Sequence, residues 1–89
     1  MNNNAENAIE LLEVLKSTLE ECGHPFLSKF TTNVETIKSL VEKNEIDAAL
    51  TKANELLSVF AKNDIVFIAA KINDAIEYIV KINTTTQTA

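Results

Sequence analysis

One glycine and one proline occur in this chain of 89 residues, and they stand two apart in Cys22-Gly23-His24-Pro25. Their scarcity leaves little material for loops and pushes the chain toward long regular elements. The apolar residues say which kind. Ala5, Ala8, Leu12, Leu15, Leu19 and Cys22 fall three and four apart, the spacing of a single helical face. No stretch alternates with a period of two.

Asn3 or Asn4 can cap this first helix, with Glu6 favourably placed in its opening turn. Gly23 suits the left-handed residue that closes a helix, and Pro25 suits the first turn of the next one. The spacing therefore predicts a helix over about 5–22 and another over about 25–43, the second carried by Phe26, Leu27, Phe30, Val34, Ile37, Leu40 and Val41. His24 reads as a linker residue whose protonated ring would sit well against the carbonyls at the end of helix one.

From Lys43 to Val80 the chain nearly repeats itself with a period of 19, so that Lys43, Asn44, Ile46, Lys52 and Asn54 recur as Lys62, Asn63, Ile65, Lys71 and Asn73. The hydrophobic phase decides whether the two lines are one helix or two. Ile46, Ala49, Leu50, Ala53, Leu56, Leu57 and Phe60 form a stripe whose unbroken continuation would fall on Asp64 and Lys71. The apolar positions are instead Ile65, Ile68, Ala69, Ile72, Ile76, Ile79 and Val80, a slip of one residue, or about 100° around a helix. A break near Lys62 and Asn63 follows, giving helices over about 45–61 and 64–82. Asn44 is expected to cap the third helix, and Asn63 or Asp64 the fourth. Residues 84–89 are polar and β-branched and are expected to form a disordered, frayed tail.

Four helices joined by very short links imply antiparallel neighbours, so the predicted fold is an all-α, up-down-up-down four-helix bundle over residues 1–83. Asn44-Glu45-Ile46-Asp47-Ala48-Ala49 resembles the turn and second-helix start of tetratricopeptide-type hairpins. That resemblance implies a helical-repeat fragment as the alternative, although the aromatic and glycine positions of the 34-residue unit are not visible.

Composition removes several kinds of chemistry. Thirteen acids face eight basic residues, all of them lysine, and the net charge is −5. Without Arg forks or a basic stripe, the chain is not expected to bind nucleic acid or an anionic membrane surface. No apolar run approaches the roughly 20 residues that span a bilayer, so no membrane insertion is expected. The first 15 residues carry Glu6, Glu10 and Glu13 where a signal peptide would be apolar, and the lone Cys22 cannot form an internal disulfide; a cytoplasmic location is the expectation.

With one histidine, no His-rich metal set can be assembled, and Cys22 and His24 supply two ligands at most. Cys22, near a helix C-terminus beside Glu20 and Glu21, is poorly placed to become a thiolate. Carboxylate metal sites in bundles pair Glu with His one turn on, which this chain cannot do, and one glycine cannot build a phosphate loop. The expectation is a protein that is not an enzyme and needs neither cofactor nor metal.

The fourth helix points to another role. Its first half, Ile65-Val66-Phe67-Ile68-Ala69-Ala70, is apolar all round, and Tyr78 lies three turns beyond Phe67 on a face apart from Ile68, Ile72 and Ile79. Leu11 and Val14 sit similarly beside the main stripe of helix one. Val66, Phe67, Tyr78, Leu11 and Val14 are therefore the candidate partner-binding residues of a small acidic interaction module, its partner another protein or a second copy of the chain in a homodimer. In size and antiparallel helix layout the chain also resembles the small cytosolic bacteriocin-immunity bundles, which implies a protective role as the alternative function.

Overall fold

The computed structural model describes the backbone of residues 3–88 and the side chains of residues 4–82. Five helical segments follow one another: α1 (Asn3–Glu21), α2 (Pro25–Ser28), α3 (Thr31–Glu42), α4 (Ile46–Lys62) and α5 (Val66–Thr88). The single turn of α2 and the longer α3 make up one arm, so the fold is an antiparallel four-helix bundle. Its principal extents are 42 × 21 × 18 Å. α1 packs against α3 and α5, and α4 packs against the same two. The ring closes where α5 returns to α1, which a fragment of an open helical repeat would not do, and the tetratricopeptide alternative is set aside on that ground.

The core follows the predicted stripes closely. Ala8, Leu12, Leu15 and Leu19 of α1, Val34, Ile37 and Val41 of α3, Ile46, Ala49, Ala53, Leu56 and Phe60 of α4, and Ile68, Ile72, Ile76 and Ile79 of α5 are all buried, as are Ala75 and Ile82. Among the described residues no polar side chain is buried, so no desolvated group has to be satisfied inside. Two positions depart from the stripes. Cys22 is exposed because α1 stops at Glu21 and Gly23, at φ +63°, turns the chain away. Val80 is 44% exposed, since it lies about 100° around the helix from buried Ile79.

The second predicted helix is interrupted at Lys29 and Phe30. The N–H of Phe30 donates to Leu27 O, three residues back, and the Thr31 hydroxyl donates to Ser28 O at 2.9 Å, so the chain tightens before α3 begins. Both residues keep right-handed dihedrals. The gain is aromatic packing: Phe30 lies edge-on between Phe26 and Phe60, with centroids 5.3 and 5.1 Å away.

His24 serves the helix after it, not the one before. Its Nδ1 accepts the N–H of Phe26 at 3.1 Å and caps α2, where the expectation had its ring facing the end of α1.

The expected caps of the last two helices are corrected in the same sense. Asn44 and Asp64 adopt φ +64° and +59°, closing the preceding helices and not opening the next ones. At Asn44, Glu45 N–H donates to Leu40 O and Asn44 N–H to Val41 O; at Asp64, Ile65 N–H donates to Phe60 O and Asp64 N–H to Ala61 O. Both are Schellman closures. Asn63 also turns backward, its Nδ2 donating to Val59 O at 2.7 Å, and no side chain caps α4.

The sequence repeat is thus offset from the structural one. The core-facing stripes superpose at 19 residues, buried Ile46 on half-buried Ile65 and Phe60 on Ile79, but the left-handed residues Asn44 and Asp64 are twenty apart. As a result α4 starts on its stripe residue Ile46, and α5 starts one residue past Ile65, on Val66.

α5 keeps helical backbone to Thr88, beyond the expected end at 82, because 83–88 contain neither Gly nor Pro to stop a helix already propagating. Ala89 and the side chains from 83 onward lie outside the described residues, and with them most of what was expected of the polar tail.

Candidate interaction surface

Helical geometry divides α5 into three sectors. Ile68, Ile72, Ala75, Ile79 and Ile82 face inward. Phe67 and Tyr78, eleven residues apart and so only about 20° apart in direction, lie on one flank. Val66 lies about 100° from Phe67, on the side turned away from the core. On α1, Leu11 lies to one side of the buried Ala8, Leu12, Leu15 and Leu19, and Val14 lies further out.

These flanks meet. Leu11, Val14 and Tyr78 line one open groove of about 240 Å³ between α1 and α5, with Asn7 and Glu10 completing its wall. Leu11 and Tyr78 are half-buried and pack against the core, whereas Val14 is 50% exposed. The Lys81 ammonium stands 4.9 Å above the Tyr78 ring, holding the ring by a cation–π contact while keeping its charge at the groove's edge. Three of the five candidate residues, 64 or more positions apart across the two helices, are therefore brought together.

The other two are not part of this groove. Val66 and Phe67 are the most exposed large apolar residues of the described chain, at 72% and 56%. They sit at the start of α5, about 16 Å along the helix from Tyr78 at 1.5 Å per residue.

The opposite seam, between α1 and α3, is closed by charge. Lys16 Nζ meets Glu35 Oε1 at 2.9 Å, and Lys38 Nζ meets Glu13 Oε2 at 3.2 Å. The Lys16 ammonium, first by its hydrogen bond and then by its charge, holds the Glu35 carboxyl below its ordinary 4.5. In the same way Glu13 holds Lys38 above its ordinary 10.5. The crossed pairs bridge α1 and α3, while on its other side α1 packs against α5 and shares the open groove with it.

A second cleft, of about 260 Å³, lies between α3 and α4. Asn33, Thr36, Lys52 and Glu55 form its walls over an apolar floor of Ile37, Leu56 and Val59. It was missed because those polar residues read as ordinary solvated helix faces. The available signal was the pairing of polar positions three apart, Asn33 with Thr36 and Lys52 with Glu55, beside each core stripe.

Among the described residues no group of three or more His, Cys, Asp or Glu is arranged to hold a metal ion. No helix among them is long and apolar enough to cross a membrane. Compared with known protein families, with curated proteins and with solved structures, the chain finds no match in any of the three.

Proposed function

We propose that this chain is a non-enzymatic protein-binding module whose α1–α5 flank receives an apolar, positively charged helical segment of another protein. One observation carries the reading: Leu11, Val14 and Tyr78, taken from distant parts of the chain, line a single open groove on the side of the bundle. An apolar groove with a polar rim is the form that a protein-binding surface takes.

Charge supports the partner's sign. α1 carries Glu6, Glu10, Glu13, Glu20 and Glu21 against Lys16 alone, and Glu10 stands in the groove wall itself, an acidic excess that outweighs the one lysine, Lys81, stacked on Tyr78. A second copy of the chain would bring the same acidic helix face to face with itself, whereas a basic helix would be drawn in and oriented. On α1 the groove runs from Asn7 to Val14, about 10 Å, which seats about two turns of such a helix.

The test is a quantitative affinity capture from host extract with the parent chain and with the Val14→Asp, Tyr78→Ala variant. A basic protein retained by the parent and lost with the folded variant supports the groove. Equal capture by both removes it. A bacteriocin-immunity role remains compatible with the size and the helix layout, and no observation singles it out.

A further inference from the structure

α3 has a seam on either side, and the two are finished differently. Toward α1, each helix supplies charges of both signs, and Lys16–Glu35 and Lys38–Glu13 cross between them. Toward α4, α3 presents Asn33, Thr36 and Ile37 to the cleft, while α4 presents Lys52 and Glu55 beside Leu56 and Val59. An ammonium and a carboxylate of one helix thus face a wall that carries no charge to answer either of them.

The polar groups of this cleft keep hydrogen-bonding capacity in hand. The ion pairs found among the described residues are those of the α1–α3 seam, so Lys52 and Glu55, three positions apart on α4, pair neither with each other nor with another residue. The Asn33 amide likewise has no side-chain partner among the described residues. Thr36 donates its hydroxyl proton to Thr32 O at 3.0 Å, which leaves its oxygen able to accept. Below these groups Ile37 and Leu56 are buried and Val59 is half-buried. An apolar floor with a few converging polar groups is the form that small-molecule sites take. At about 260 Å³ the cleft falls short of drug-sized pockets, which begin at about 300 Å³, so its occupant is a smaller molecule.

The geometry points to the α3–α4 cleft as a binding site for a small zwitterion with an apolar side chain, an α-amino acid of the leucine or valine type. The Lys52 ammonium and the Asn33 amide N–H donate to its carboxylate. Its own ammonium donates to the Glu55 carboxylate and the Thr36 oxygen, and its side chain rests on Ile37, Leu56 and Val59. A simple carboxylate would meet Lys52 but be opposed by Glu55, and a simple amine the reverse. A purely apolar molecule would cover the polar walls without pairing them. Because the cleft is open and its charges stay wet, binding is weak, with a Kd of about 0.1–10 mM. The site shares no residue with the α1–α5 groove.

Titration of the isotope-labelled full chain with L-leucine to about 50 mM, read from its amide NMR shifts, covers that range. The amides of Asn33, Thr36, Lys52, Glu55 and Val59 should shift and saturate. Glycine, which lacks the apolar group, isovalerate, which lacks the ammonium, and isoamylamine, which lacks the carboxylate, should each bind at least about threefold more weakly. Lys52→Met and Glu55→Gln alter exposed side chains and should fold normally while weakening leucine binding by a similar factor. Glu55→Gln should also lose most of its preference for leucine over isovalerate, a change that a merely disturbed fold would not produce. The absence of any saturable shift up to 50 mM overturns the inference. So do equal affinities for leucine and the three probes, saturable shifts that cluster away from α3 and α4, or variants that bind leucine as the parent does.

Discussion

The edge of the Phe30 ring meets Phe60, their centroids 5.1 Å apart and their planes at 61°. This contact joins the break between α2 and α3 to the C-terminal end of α4, so one core side chain holds three chain segments. Truncating it should be among the costliest single changes in the molecule. Phe60→Ala is expected to lose about 3–5 kcal/mol, a large share of the stability of a domain this size, and Phe60→Leu distinctly less. Urea unfolding monitored by circular dichroism would show it as a fall in midpoint with little change in slope.

Asp64 carries a left-handed backbone at φ +59° that a side chain adopts at a cost and glycine does not. Its amide closes α4 onto Ala61 O, and the closure needs only the backbone. Asp64→Gly should therefore stabilise the chain, by about 0.5–1 kcal/mol. Gly23→Ala should destabilise it by a similar amount, since nothing lies within 4 Å of the added methyl group and only the φ of +63° opposes it. Thermal unfolding of the two variants should shift in opposite directions.

The crossed Lys16–Glu35 and Lys38–Glu13 pairs give a defined pH window. Glu35 is held below 4.5, so its contribution is complete above that value and is lost as the pH falls through the lowered folded value. Lys38 is held above 10.5, so its contribution is complete below that value and is lost as the pH rises through the raised folded value. Glu35→Gln should then be less stable than the parent near pH 7 and converge with it well below pH 4.5. Both pairs are exposed, and added salt should shrink the difference at neutral pH. Urea midpoints across pH and salt check both statements.

Val14 is half exposed and makes no core contact that the fold needs. Val14→Asp should leave stability within about 0.5 kcal/mol of the parent, as surface substitutions usually do. A large drop in the unfolding midpoint would mean that the α1–α5 flank is structural, and the groove would lose its standing as a binding surface.

Much of the bundle was legible because helical periodicity is a local property. The spacing of Leu12, Leu15 and Leu19, or of Ile68, Ile72 and Ile79, is written in consecutive residues and needs no knowledge of neighbours. Gly23 and Pro25 marked their boundary for the same reason. The caps were read less well. Asn44 and Asp64 can open a helix or close one, and both uses are local, so composition does not choose between them. The choice appears in the backbone, where the one-residue difference between the 19-residue stripes and the twenty-residue closures starts α5 on Val66.

The candidate site was legible by residue and not by grouping. The apolar excess at Leu11, Val14, Val66, Phe67 and Tyr78 is visible in the sequence, as is the acidity of α1. Which of them share a surface depends on the order of helices around the ring. α5 returns to α1, so Tyr78 joins Leu11 and Val14 in one groove, while Val66 and Phe67 stay at the start of α5, outside it. Val80 shows the limit clearly: it is as apolar as the buried isoleucines beside it, yet 44% exposed. Hydrophobicity and period tell a residue that it can be buried; only a neighbouring helix, placed by contacts far away in the chain, supplies the surface that buries it.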